Sequence, residues 1–187
     1  GGATQAWALE PDMVTIGKAI GGGIPCGAYG ISGDVAQRIE AEADADLVDT
    51  GGVGGTLAGN ALSVAAMRAT LEEVLTPDAF ERMIRLAERY ASGLRRALQE
   101  HRVPWSVVQL GARVEFRFSP SPPVDGGASA AAADARLDEY MHLLTTNRGV
   151  LLTPFHNMAL TCPATTAADV DQHVAVFADA VTGLYRA

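Results

Sequence analysis

The chain has little to offer a nucleic acid. Its 14 basic residues face 22 acidic ones, for a formal net charge of -8 and a pI near 4.9. A nucleic-acid surface needs clustered positive charge, and here the basic residues are scattered, six of them along 80–102. No apolar run reaches the roughly 18 residues of a membrane span, and no basic, apolar, small-residue leader is visible. The expected setting is cytoplasmic, with no nucleic-acid or membrane partner. Two cysteines, Cys26 and Cys162, are too few for a disulfide framework or a zinc site; they read as buried thiols in a reducing compartment. His101, His142, His156 and His173 have no ligand spacing among themselves, so no metal is expected. No Met precedes Met13, and Gly1-Gly2-Ala3 is not a translation start, so the chain reads as a piece of a longer frame.

What is there is enough apolar material for a core: 187 residues at 48% apolar composition fit one domain or parts of two. Residues 12–16 and 27–31 read as short strands. Ser32 caps a helix over about 34–43, with Val35 and Ile39 on one face. Residues 44–55 are a glycine-rich loop, and an alanine-rich helix is expected from Thr56 to about 75. Thr76-Pro77-Asp78 opens another: a capping hydroxyl, a proline in the first turn and an acid near the positive dipole end. Phe80, Met83, Ile84, Ala87, Ala91, Leu94 and Leu98 then recur at helical spacing.

Strands are expected at 106–109 and 113–118, where Val114, Phe116 and Phe118 alternate with Arg113, Glu115 and Arg117 on the other face. Residues 119–133 are low in complexity and read as a mobile loop. A helix over 134–148 closes on Gly149, and 150–153 and 158–162 read as two more strands. Thr166-Ala-Ala-Asp169 resembles a capping box for a last helix whose inner face carries Val170, Val174, Phe177, Val181 and Leu184. The composition breaks near Thr76-Pro77. Glycine-rich αβ material, 1–75, precedes an α+β unit, 76–187, with mostly antiparallel-looking strands.

Most chemical motifs fail on inspection. A phosphate-binding loop around Gly17-Lys18 needs glycine at 12 and a hydroxyl at 19, and finds Asp12 and Ala19. A dinucleotide fingerprint on Gly21 and Gly23 needs Gly or Ala at 26 and finds Cys26. No nucleophile elbow accompanies a Ser-His-Asp set. Two signals survive. Lys18 stands between a strand and a glycine cluster, a place from which an amine reaches a carbonyl through little bulk, where an ordinary lysine is a solvated charge. The second is Thr50-Gly-Gly-Val-Gly54-Gly55-Thr56-Leu57-Ala58-Gly59-Asn60. Free N–H groups and a hydroxyl there can seat a phosphate, or simply form a flexible loop with Thr56 as a cap.

Together, "PDMVTIGKAIGGGIPCGAYG" and "GGTLAGNALSVAAMRATLEEV", in this order and spacing, resemble the class III (subgroup II) pyridoxal-phosphate (PLP) aminotransferases. Within them the chain looks most like the glutamate-1-semialdehyde aminomutase branch. The likeness extends to the tail "NRGVLLTPFHNMALTCPATTAADVDQHV". It implies an α/β fold of the type I PLP-transferase class, with 1–75 as the end of the large cofactor domain and 76–187 as the small α+β domain. Lys18 matches the lysine that forms the internal aldimine with PLP and shuttles a proton between substrate and cofactor. Thr56 matches the threonine that holds the cofactor phosphate from the neighbouring subunit, which implies a homodimer, and Gly55 assists through its backbone.

Two departures from the family pattern stand out. The aspartate paired with the pyridine nitrogen, the phosphate loop and the ring-stacking aromatic would all lie upstream of Gly1, so this chain alone is expected to be inactive. The strand arginine with which many ω-aminotransferases bind a substrate carboxylate is Leu160 here; the aminomutase branch also lacks that arginine. Phe155, His156 and Asn157 fall where that branch places a gating segment, so His156 and Asn157 are candidate substrate contacts; Trp7, Trp105 and Tyr29 read as packing residues. The expected activity is amino transfer between an amino acid or amine and a keto acid or aldehyde. The rivals are an intramolecular aminomutase and a non-catalytic dimerisation fragment of the same fold.

Overall fold

Met13–Gly17 (β1) and Gly27–Ile31 (β2) pair antiparallel in the computed structural model, which describes residues 2–42, 55–153 and 156–184. This hairpin belongs to the first of two units, Gly1–Thr76; the second is Pro77–Ala187. A short helix, α1 (Gly2–Ala6), precedes the hairpin, and a 3-10 turn, Lys18–Gly21, leads out of β1. Helix α2 (Gly33–Ala41) starts where Ser32 Oγ accepts from Val35 N at 3.3 Å, as its sequence position suggests. Position 43, where that helix was expected to end, lies outside the described residues, as do most of the loop at 44–55 and Phe155.

Thr56 does not start the next helix. Gly59 adopts φ +65°, which interrupts the chain, and Asn60 takes over as the cap: its Oδ1 accepts from Ser63 N at 3.0 Å, opening α3 (Ala61–Ala69). Helix α3 runs on into a π turn, Thr70–Val74. The hairpin exposes apolar groups on both faces: Met13 and Tyr29 on one, Val14 and Ile16 on the other. Strands of that composition suit a sheet covered on both sides. Trp7 and Tyr29, expected to pack, are exposed here.

In the second unit, α4 (Pro77–Glu100) carries the largest share of the core. Met83, Ala87, Ala91, Leu94 and Leu98 are buried as their spacing suggests, joined by Ala79, Tyr90 and Ala97, whereas Phe80 is 45% exposed. The buried stripe is thus rotated toward small residues, which let α7 (Ala167–Leu184) approach closely. A methyl added at Gly93 would lie 2.5 Å from a Val174 methyl. Helix α7 begins with the expected reciprocal cap: Thr166 N donates to Asp169 Oδ2 at 2.8 Å, and Asp169 N donates to Thr166 Oγ1 at 3.2 Å.

Strands β3 (Ser106–Leu110), β4 (Arg113–Arg117) and β5 (Met158–Leu160) form an antiparallel sheet in that order. Val114 and Phe116 face the helices, and Trp105 packs edge-on to Phe118 at 4.6 Å. The opposite face of β4 is less open than alternation suggests. Glu115 is only 6% exposed, ion-paired to Arg113 and to Arg117, the latter at 2.7 Å. A buried carboxylate needs such partners.

Three further expectations change. The stretch at 119–133 contains a six-residue helix, α5 (Gly126–Ala131), capped by Asp125 accepting from Ala128 N at 2.7 Å. Residues 150–153 form no strand. Cys162 is exposed and Cys26 half-buried, so neither is a fully buried thiol. Helix α6 (Ala135–Asn147) ends as expected at Gly149, whose φ of +81° lets Val150 N return to the Thr145 carbonyl at 2.9 Å.

Candidate functional site

Lys18 leaves β1 with a φ of +55°, the left-handed region that a side chain enters at a cost of about 1–2 kcal/mol. It is exposed, and its amine makes no hydrogen bond or ion pair among the described residues. It is also the only lysine in the chain, the other 13 basic residues being arginines. That count is a signal legible in the sequence: the one lysine of these 187 residues stands, strained, at a strand end. Strain of this kind collects at functional positions.

The turn beyond Lys18 is tightly seated in the first unit. Ile20 is 5% exposed, and the Gly22 N–H returns to the Ala19 carbonyl at 3.3 Å. Ser63 Oγ of α3 donates to the Pro25 carbonyl at 3.0 Å, tying the segment after Lys18 to the segment after Thr56. Between these segments lies a cavity of about 340 Å³, lined by Pro25, Cys26, Gly27, Asn60, Ser63 and neighbours. Neither Lys18 nor Thr56 lines it.

Thr56 sits in the turn before α3, exposed, next to Gly55 at φ +71°. Nothing among the described residues lies within 4 Å of where a Gly55 side chain would stand. Among the described residues the Thr56 and Leu57 N–H groups donate no hydrogen bond, while Ala58 N donates to the Gly55 carbonyl at 3.2 Å. Two free N–H groups, an exposed hydroxyl and a glycine without bulk fit a phosphate. The fit rests on the turn, because the positive end of α3 lies several residues further on. Lys18 fits a carbonyl group: an exposed amine at the start of a turn that closes on Gly21 and Gly22.

His156 and Asn157 lie in the second unit. Asn157 is 6% exposed: its side-chain amide nitrogen donates to Asp138 Oδ1 at 2.6 Å, and its backbone carbonyl accepts from Phe116 N at 3.1 Å. Its side-chain amide nitrogen is thus tied to the fold, its Oδ1 has no partner among the described residues, and His156 is exposed.

The strongest electrostatic perturbation lies elsewhere, beside a second-unit cavity of about 330 Å³. Tyr90 Oη and His173 Nε2 are 2.9 Å apart; burial raises the Tyr90 pKa and lowers that of His173 to about 4. Asp169, and Asp171 paired with Arg89 at 2.6 Å, stand on the same helix as His173. An unfolded histidine titrates near 6.5, so the unfolded chain binds the extra proton first. Stability is full above about pH 6.5 and falls as pH drops toward 4, by on the order of 3 kcal/mol. Urea unfolding at a series of pH values should show this acid slope, reduced in His173→Gln. An unchanged slope in that variant would remove His173 as its source. The effect is on the stability of the second unit, to which both residues of the pair belong.

The aminotransferase class-III family model matches residues 2–181. Glutamate-1-semialdehyde 2,1-aminomutase of Anaeromyxobacter sp. (strain Fw109-5) is 34% identical over 184 residues, covering 96% of this chain and 41% of that protein. A crystal structure of a glutamate-1-semialdehyde-aminomutase from Pseudomonas aeruginosa PAO1 superposes with a TM-score of 0.91 at 47% identity, over 98% of this chain and 41% of that one. A lysine-to-alanine form of a glutamate-1-semialdehyde-aminomutase from the same organism, in complex with PMP, gives 0.92 at 46%, over the same shares. An omega-transaminase from Sphaerobacter thermophilus gives 0.77 at 26%, over 97% of this chain and 41% of that one. The chain therefore spans about 41% of the length of these relatives.

Proposed function

We propose that this chain, which belongs to the class-III aminotransferase family, is the part of a larger PLP enzyme that carries the cofactor-bearing lysine. Residues 1–75 are the end of its large domain and 76–187 its small domain. The observation that carries the reading is Lys18: the sole lysine, exposed, strained and set at the end of β1. Lys18 Nζ would hold the cofactor, and once free and unprotonated would move a proton at the substrate carbon. Thr56 and the backbone of Gly55 would hold its phosphate, offered across a homodimer to the partner's site. PLP, when bound, supplies the electron sink. His156 and Asn157 are the candidates for substrate contact, His156 being the exposed one. The proposed location is the cytoplasm, where free cysteines suit a reducing compartment.

The reaction class is amino transfer between an amino acid or amine and a keto acid or aldehyde. The higher identity to aminomutases than to the omega-transaminase favours an intramolecular outcome within that class. A non-catalytic dimerisation fragment of the same fold is the remaining rival.

The test uses the complete polypeptide. Incubated with PLP, reduced with borohydride and digested, it is expected to carry the mass increment on the peptide containing Lys18; a label elsewhere, or none, refutes the reading. Turnover of an amino-aldehyde without added keto acid then identifies a mutase. A strict need for 2-oxoglutarate or pyruvate identifies a transaminase.

A further inference from the structure

The turn that follows Lys18 is held from two sides by side chains to which no role has been given. A side chain at Gly21 would collide with Cys26 Sγ, and one at Gly22 would lie 2.7 Å from Thr70 Oγ1. Gly22 adopts φ +58° and closes the 3-10 turn, so it can take this place without strain and come close to Thr70. Thr70 is 8% exposed and is the first residue of the π turn that ends α3. A π turn widens the helix and re-aims its side chains, and such turns recur beside functional groups. Here the widened end of α3 meets the lysine's own turn.

We propose that Thr70 is a positioning residue for Lys18. With Cys26 it clamps the glycine turn, and the clamp keeps Lys18 in its left-handed conformation with the amine directed out of the end of β1. This rests on Lys18 being the cofactor-bearing residue. The segment 60–70 then has a second duty beyond Thr56: Ser63 fixes Pro25, and Thr70 fixes Gly22, so both anchors of the lysine turn come from one helix. A displacement of about 1 Å in a reacting group is enough to cost on the order of a hundredfold in rate.

The experiment compares the complete holoprotein with its Thr70→Ala and Thr70→Ser forms. It reads the pH midpoint of the visible absorbance of lysine-bound PLP, kcat and KM separately, and thermal melting. Thr70→Ala is expected to shift the midpoint and lower kcat at least about tenfold with KM little changed; Thr70→Ser, which keeps the oxygen against Gly22, is expected to restore both. A midpoint and kcat in Thr70→Ala equal to the parent's overturn the proposal, whether or not melting falls, because a purely structural residue would move melting alone. Should Thr70→Ala not fold, Thr70→Val replaces it with the same expected shift, since a methyl in place of Oγ1 presses on Gly22. Absence of lysine-bound absorbance in the parent itself would overturn the cofactor reading and this proposal with it, an outcome distinct from a normal parent band that Thr70→Ala leaves unmoved.

Discussion

Lys18→Ala in the complete polypeptide is expected to lower turnover by at least about a thousandfold, and Lys18→Arg by as much. A positioned proton carrier alone is worth roughly 10²–10⁴ in rate, and the same amine is the proposed covalent anchor. Arginine keeps the charge but cannot give up its proton at any working pH. The loss should come without unfolding, because Lys18 is exposed and anchors no packing. Lys18→Gly separates the two quantities further. It relieves a left-handed conformation worth about 1–2 kcal/mol and adds about 0.4–1 kcal/mol of unfolded-chain entropy. The inactive glycine form should therefore be more stable than the parent by roughly 0.5–1 kcal/mol. Steady-state kinetics with urea unfolding on the same three forms checks both halves. More than a tenth of parental turnover in Lys18→Ala would end the assignment, and a less stable glycine form would end the claim of strain.

That strain was not legible in the sequence, although the lysine was. Strand, lysine and glycine cluster are local, and local pattern gave β1, β2 and the turn between them. The turn at Thr56 was harder. Thr56 and Asn60 are both good caps, four residues apart, and the choice between them depends on Gly59 taking a positive φ. Either start satisfies the same pattern.

In the second unit the helices α4, α6 and α7 announced themselves because their caps and periods are contained within them. What escaped were effects of residues far apart in the chain. Tyr90 meets His173 across 83 positions, and Asn157 is drawn to Asp138 by a hydrogen bond that no spacing reveals. Glu115 is a middle case. Its arginine partners at 113 and 117 are visible at strand spacing, but alternation alone puts all three in water.

Phe177 and Phe80 turn the same lesson into a measurement. Both were placed on buried faces by helical spacing, yet Phe177 is 0% exposed and Phe80 is 45% exposed. Phe177 meets Phe116 edge-on at 5.0 Å and stands in the core with Leu94, Met141 and Val181, which places it between α7, α4 and the sheet. Deleting its ring leaves a cavity that these neighbours cannot fill, since Leu94, Met141 and Phe116 are themselves fixed by full burial. Phe177→Ala is therefore expected to cost about 3–5 kcal/mol, a large fraction of the roughly 5–15 kcal/mol of a folded domain. Phe80→Ala, in the same 187-residue chain, is expected to cost less than about 1 kcal/mol. Urea unfolding of the two variants beside the parent distinguishes a stripe set by spacing from one set by the approach of α7 through Gly93. Equal losses at the two positions would show that Phe80 is packed as deeply as its spacing suggests.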